Sequence, residues 1–554
     1  MMLPMPTRWW GWGDTAHSFS LAEHSRLWPF ISSRIGELAT ANLPVDINAI
    51  ELPPPRLGAA ELSELAVLAG GESCLATDKE SRVRHAYGKS YQDLIRLRRG
   101  QLDSPPDAIV FPRSHEAVMG ILALAVHRQL PIVPFGGGTS VVGGITGPDQ
   151  PYLVLSLAAL NRLISVDSIS RTARAQAGIS GPELERSLAG YGMTLGHFPQ
   201  SFEYSTLGGW IATRSAGQQS SQYGKIEDMV LALRLATPRG ELATLALPAA
   251  SDGPELKRFL AGSEGTLGVI TEAVLRTWPI PATRDYQGIL MPSFEAGITC
   301  IRQLLQKGLK PATLRLANTA ETLATFAMRP TEPSGVRQWV NQLAKRWLGP
   351  LNDRCLLISG FEGTIAEVKR QKHYALKLAK EGYGGVSLGA KVGQEWYRQR
   401  FALPYLRDVL LDHGIMVDTL ETATMWSNLS LLYQEVNKAL ETALANWGTP
   451  GLVLCHVSHA YLNGASLYFT FIARQDPDHV LEQWWACKSA ALHAIVANGG
   501  ALSHHHGVGR DHAPWLTKAI GPLGVQLIQS ARHAIDPAGL LNPQVFAGTD
   551  KLQS

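Results

Sequence analysis

One short stretch constrains this chain more than any other. An apolar strand pattern, Pro131-Ile132-Val133-Pro134-Phe135, runs directly into Gly136-Gly137-Gly138-Thr139-Ser140-Val141-Val142-Gly143-Gly144. Glycines in this density allow positive φ and let successive N–H groups converge on one anion. Thr139 and Ser140 add hydroxyl donors. The loop is not a Rossmann fingerprint, because Val141 stands where G-x-G-x-x-G needs its third glycine. It is not a P-loop either, since no Gly-Lys-Ser/Thr follows it. Tyr87-Gly88-Lys89-Ser90 has a P-loop tail, but Val83 occupies the position of its first glycine. Taken alone, the loop is equally well read as a glycine-rich turn.

Other segments of the same texture favour a ligand. They are Pro199-Gln200-Ser201, Ser205-Thr206-Leu207-Gly208-Gly209-Trp210, Thr213-Arg214-Ser215 and Gly262-Ser263-Glu264-Gly265-Thr266-Leu267-Gly268. Glycine as a whole is in excess, 53 of 554 residues, against a usual ~7%. Several small-residue, hydroxyl-rich segments in one strand-rich region point to one extended ligand held by main chain, such as a dinucleotide.

The surrounding grammar is strand and helix. Ala108–Phe111 reads as a short buried strand stopped by Pro112, and Ser114 as the N-cap of a helix over Ala117–Val126. Tyr152–Leu157 reads as a strand and Ile164–Gly178 as a hairpin. Ser180-Gly181-Pro182-Glu183 has capping-box spacing before a helix ending near Gly190. Ile270–Leu275 and Ser466–Ile472 read as further strands. Asn318–Asn352, polar and full of breakers, is expected to be a mobile flap.

Four regions follow from this pass: 1–100, helical and loop-rich; 101–281, the ligand-binding part; 282–500, a cap; and 501–554, a closing segment. The formal charge of +3 gives no support to a nucleic-acid partner. Five scattered cysteines without a CxxC pair argue against a disulfide scaffold and for a reducing compartment, hence a cytoplasmic protein. The longest apolar run, Ala117–Val126, is half the roughly 20 residues of a membrane span. The N-terminus shows no apolar core of a secretory signal, and Lys551–Ser554 is not a peroxisomal tail. Trp9, Trp10 and Trp12 are expected to pack on the protein body rather than anchor in a membrane interface.

GGGTSVVGG, STLGGW, YGKIEDMV and GSEGTLGVIT together resemble the FAD domain of the vanillyl-alcohol-oxidase superfamily. Within it the chain most resembles, over nearly its whole length, the alkylglycerone-phosphate synthase (alkyldihydroxyacetone-phosphate synthase) family. Trp10-Gly11-Trp12-Gly13, Ile226-Glu227-Asp228, Thr237-Pro238-Arg239-Gly240 and above all Ser503-His504-His505-His506-Gly507-Val508-Gly509 carry that likeness. Related 2-hydroxy-acid dehydrogenases usually show an acidic residue before a single histidine there.

The resemblance implies an α+β fold: a two-lobed PCMH-type FAD-binding domain, an α/β cap domain, and a C-terminal segment returning to the flavin. It implies that Pro134, Phe135, Gly136, Gly137, Gly138, Thr139 and Ser140 hold the FAD pyrophosphate. Pro199, Gln200, Ser201, Ser205, Thr206, Gly208, Gly209, Thr213, Arg214 and Ser215 would line the rest of the cofactor. So would Glu264, Gly265, Thr266, Leu267, Gly268, Val269 and Ile270. Gln200 departs from the family's common Asp. With no His or Cys in residues 134–144, the FAD is expected to be non-covalent.

The implied reaction is replacement of the acyl chain of acyl-dihydroxyacetone phosphate by a fatty alcohol, through an adduct on flavin N5. Tyr461 would be the acid/base, His504, His505 and His506 would polarise the reacting centre, Arg315 would sit in the active site, and Arg407 would bind the phosphate. Glu421 and Trp426 would stand behind these groups. A phenol at ~10 needs a flavin or cationic neighbours to work near pH 7, which the histidine run is expected to supply. No metal is expected: His504 and His506 would share a face on an extended segment, and His456 and His459 could join them, but no carboxylate or Cys has matching spacing. Lipid substrates imply peripheral membrane contact, and a homodimer stays open. The alternative is an FAD-dependent dehydrogenase of D-lactate or glycolate type, which would use the same residues.

Overall fold

The glycine loop sits where a parallel ladder ends. In the computed structural model, which describes residues 7–36, 42–329 and 353–546, Ile132–Phe135 pairs in parallel with Leu153–Ser156, which pairs in parallel with Ala108–Val110. Leu75–Ala76 closes that sheet antiparallel to Ala108–Val110. The strand carrying Pro134 is an edge strand, the place where a residue without N–H costs no ladder bond. Helix His115–Arg128 begins at Ser114, whose Oγ accepts from the Ala117 amide at 3.1 Å.

A second, five-stranded antiparallel sheet forms the other lobe. Its order is Leu163–Asp167, Thr172–Gln176, Val269–Arg276, Val230–Thr237 and Gly240–Ala243. The hairpin and the Ile270–Leu275 strand expected from the sequence are both part of it. The helix after Ser180 runs Gly181–Ala189, but the Ser180 side chain makes no capping bond. Its backbone instead bridges to Thr206, which ties this helix to the hydroxyl-rich segment.

The cap is a seven-stranded antiparallel sheet, ordered Val386–Gly389, Thr283–Met291, Cys355–Gly363, Thr313–Ala317, Gly451–Ala460, Gly464–Arg474 and Ile415–Met425. Period-two alternation divides its faces. Val453, Cys455, Val457, Leu467, Phe469 and Phe471 enter the core with helices Phe294–Gln306, Leu429–Asn446 and Val480–Ala497. Leu454, His456, Ser458, Tyr468, Thr470 and Ile472 point the other way, into a cavity between the sheet and the two lobes.

Both chain ends return to this cavity. Trp9 and Trp12 are buried, so the tryptophan-rich start packs on the body. Helix Leu27–Ile35 lies against Leu410, Leu452 and Ile472 of the cap. At the other end the Ile132 amide donates to Leu540 O, and Asn542 Nδ2 donates to Gly144 O and Glu264 O. The expected flap at Asn318–Asn352 starts as a packed helix, Thr319–Ala327, with Glu321 and Thr322 buried; residues 330–352 lie outside the described residues. Among the described residues no helix is long and apolar enough to cross a membrane. All five cysteines are free and buried.

Candidate active site

The glycines are required by close approach. A Cβ on Gly137 would lie 1.9 Å from the Tyr204 carbonyl oxygen, and one on Gly136 would lie 2.4 Å from Thr206 Oγ1. The loop is thus pressed against the 204–209 segment, with the Thr206 hydroxyl capping helix Leu207–Thr213 beneath it. Together they wall one end of a cavity of about 550 Å³, within the usual range of small-molecule sites.

Of the residues the sequence assigns to FAD, most line this cavity: 134–140, Pro199, Gln200, Ser201, Ser205, Thr206, Gly208, Gly209, Thr213, Ser215, Glu264, Gly265, Gly268, Val269 and Ile270. Arg214, Thr266 and Leu267 do not. Arg214 turns outward, its Nε donating to Ala261 O at 2.8 Å. Thr266 Oγ1 donates to Ser263 O, and Leu267 belongs to the core. Gln200 spends its side chain on a brace, with Nε2 donating to Arg400 O at 2.6 Å and Oε1 accepting from Gln218 at 3.0 Å. Aspartate could not donate to that carbonyl, which gives the departure a local reason.

The donor set fits FAD. It consists of main chain and hydroxyls, with a single carboxyl, Glu264. Burial pushes that carboxyl up to about 7, although it accepts from the amides of Val508 and Gly509. Partial protonation of Glu264 near pH 7 weakens the repulsion that a carboxylate would exert on a pyrophosphate.

Tyr461 follows the strand Gly451–Ala460, and Trp426 Nε1 donates to the Tyr461 and Leu462 carbonyls at 3.1 Å each. Its hydroxyl lies 2.7 Å from His504 Nε2. Of the expected reacting groups, His505, His506, Arg315 and Arg407 line the cavity, and Tyr461 and His504 do not. His504 Nδ1 meets His505 Nδ1 at 3.0 Å, and His459 Nδ1 meets Ser220 Oγ at 2.8 Å. The histidines do not provide the positive surroundings expected of them. Burial brings His504 down to about 3 and holds His459 and His505 well below the ordinary imidazole value, so all three are neutral near pH 7. Burial also raises the Tyr461 phenol. The cation of this region is Lys225, whose Nζ donates to His504 O at 2.6 Å. Ring nitrogens of His459, His504 and His505 come within 4.8 Å of one another. That grouping differs from the His504/His506 face, because the segment is bent and not extended.

Arg315 does have the partner that burial demands. Its Nη2 lies 2.5 Å from Glu321 Oε1, and His456 Nδ1 lies 3.0 Å from Glu321 Oε2. Burial alone would raise Glu321, but His456 and Arg315 bring it down to about 2. Arg407 is different. Its Nη1 donates to Lys89 O at 2.9 Å, while Nε and Nη2 are buried without a hydrogen-bond partner among the described residues. A desolvated guanidinium with two unspent donors facing a cavity is prepared for an anion. Glu321 and Tyr468 went unassigned in the sequence. Tyr468 alternates with core residues on a strand and reads as half-buried, and nothing local marks Glu321 as an ion-pair partner.

One part of the cavity wall forms an apolar arm. Leu27, Phe30, Ile31, Ala324, Met328, Leu410, Val417, Leu452, Leu454 and Ile472 line it.

The comparisons agree with this geometry. Residues 106–246 match the FAD binding domain family, and residues 280–545 match the C-terminal domain of FAD linked oxidases. The chain is 36% identical over 532 residues to alkyldihydroxyacetonephosphate synthase of Dictyostelium discoideum, covering 94% of this chain and 85% of that protein. It is 27% identical over 453 residues to glycolate oxidase subunit GlcD of Bacillus subtilis, covering 81% and 90%. A solved alkyldihydroxyacetonephosphate synthase structure superposes with a TM-score of 0.83 at 32% identity, covering 97% of both chains. This chain belongs to the alkyldihydroxyacetonephosphate synthase family of FAD-dependent enzymes.

Proposed function

We propose that this protein replaces the acyl chain of an acyl-dihydroxyacetone phosphate with a fatty alcohol, with FAD in the glycine-walled end of the cavity. One observation carries the reading: a single cavity joins the glycine loop, an arginine with unspent donors, and an apolar arm. A substrate with a phosphate at one end and an alkyl chain at the other needs both of the last two. D-lactate and glycolate have no use for the apolar arm, which disfavours the dehydrogenase alternative.

In this reading residues 101–281 hold FAD, 282–500 form the substrate cap, and 501–554 complete the site. When bound, FAD supplies the conjugated ring whose N5 activates the substrate carbon. Arg407 takes the phosphate through Nε and Nη2. The bond to the fatty acid breaks with the carboxylate as leaving group, and the bond to the alcohol oxygen forms, so the exchange needs no external oxidant. Tyr461 passes the protons, with His504 Nε2 as its partner at 2.7 Å. His505 and His506, neutral by burial, present hydrogen bonds and not charge to the reacting oxygens. Arg315 is held by Glu321 at the wall. Both substrates being lipids, peripheral contact with a membrane surface belongs to the proposal.

The purified flavoprotein is given palmitoyl-dihydroxyacetone phosphate with hexadecanol, and separately D-lactate or glycolate with a dye acceptor. Ether-lipid formation without dye reduction is expected. Dye reduction without ether lipid overturns the reading.

A further inference from the structure

Glu421 is completely buried at the end of the cap sheet, on strand Ile415–Met425 and opposite Tyr468. A carboxylate there demands full compensation. It receives it from one segment, Ser503–His506, through three backbone amides and one hydroxyl. Oε1 accepts from Ser503 Oγ at 2.8 Å, the His505 amide at 3.0 Å and the His506 amide at 2.8 Å, and Oε2 accepts from the His504 amide. Three consecutive amides converging on one carboxylate define a bend, and its curvature is set by where that carboxylate stands.

The strand residues after Glu421 hold the stretch just before the histidine run. Thr422 Oγ1 donates to Ala501 O at 2.7 Å, the Ala501 amide donates to Ala423 O at 2.9 Å, and Thr424 Oγ1 donates to Gly499 O at 3.0 Å. Burial would raise Glu421, but the three amides and the hydroxyl from which it accepts hold it well below the usual carboxylate range. It therefore stays ionised while the rings around it are neutral. Its oxygens reach the ring nitrogens of His505 and His506 only at 3.6 and 3.7 Å, beyond hydrogen-bond distance. Its strong bonds go to the amides and the Ser503 hydroxyl, not to the rings.

We propose that Glu421 is the positioning residue of this site: its carboxylate moulds residues 503–506 into the bend that aims His504 at Tyr461 and turns His505 and His506 into the cavity. The inference rests on the proposed role of the histidine run. A loss of the bend displaces reacting groups by an ångström or more, which is enough to cost about a hundredfold in rate. The phosphate and chain subsites, on other elements, are left in place.

The test uses the FAD-loaded enzyme with Glu421→Gln and Glu421→Asp. Gln replaces one accepting oxygen by an amide donor facing amide donors; Asp keeps the charge but withdraws it by one methylene. Expected for both are parental flavin absorbance, a kcat lower by about a hundredfold, and a KM for acyl-dihydroxyacetone phosphate within about threefold of the parent. Adding Glu421→Gln to His504→Ala is expected to slow that variant by less than about threefold, because the two act through one unit. Independently of turnover, the imidazole resonances of ¹⁵N-histidine-labelled holoenzyme are expected to shift for His504, His505 and His506 in both variants. Parental kcat in both variants, or full additivity with His504→Ala, overturns the proposal. So do unshifted resonances. A parent enzyme that makes no ether lipid overturns the proposed function instead, and the resonances then still decide the role of Glu421.

Discussion

Tyr461 and Arg407 are the two side chains on which the proposed chemistry turns, and each has a separable signature. The Tyr461 hydroxyl is bonded to a neutral His504, so Tyr461→Phe removes the proton carrier but leaves the cavity's shape. A kcat loss of about 10²–10⁴ is expected, the range for a positioned acid/base, with flavin content unchanged; steady-state kinetics beside an absorbance spectrum checks it. Arg407→Lys keeps the charge and loses the fork. Its expected effect is on KM, a rise of about tenfold to a hundredfold for the phosphorylated substrate, from about 1.5–3 kcal/mol per charged hydrogen bond lost. A KM unchanged in Arg407→Lys would remove the phosphate role.

At the scale of elements, the glycine loop and the C-terminal segment meet through Glu264. The would-be Cβ of Gly137 overlaps the Tyr204 carbonyl, a backbone atom that cannot step aside. Gly137→Ala should therefore yield protein without flavin absorbance. Glu264 carries a pH dependence. Its folded value of about 7 lies above its ordinary 4.5, so the folded state binds the extra proton. The stabilisation is complete below about 4.5 and is lost as pH rises through about 7. FAD-free protein is expected to melt lower at pH 8 than at pH 5.5. Glu264→Gln, a permanently neutral accepting side chain, should flatten that difference in a thermal-shift series.

The whole molecule decides the shape of the cavity, and the apolar arm is its most testable part. It is assembled from the N-terminal helix, the helix beginning at Thr319, and the far half of the cap sheet. Leu454 faces it from the middle of a strand. Leu454→Trp should shorten it, so that activity with hexadecanol falls at least tenfold while activity with a short alcohol such as octanol stays within about threefold. Equal losses for both alcohols would show that the chain lies elsewhere.

Much of this was legible in the sequence, because local chemistry carries it. The glycine run, the hydroxyl-rich segments and the triple histidine each state their backbone demands over a few residues, and most of the residues they mark line the cavity. The strands and caps from Ala108 to Leu275 follow from period, proline and cap signals that act over the same short range. The tertiary structure decided what depends on distance along the chain. It placed Glu321 against Arg315 and His456, and Glu421 beneath a loop 82 to 85 residues away. It brought Leu27 and Ile31 across to Leu452 and Ile472. It also removed the charge expected of the histidines, since a sequence shows how many imidazoles there are but not how little water reaches them. Burial sets which groups keep their protons, and burial is a property of the packed molecule alone.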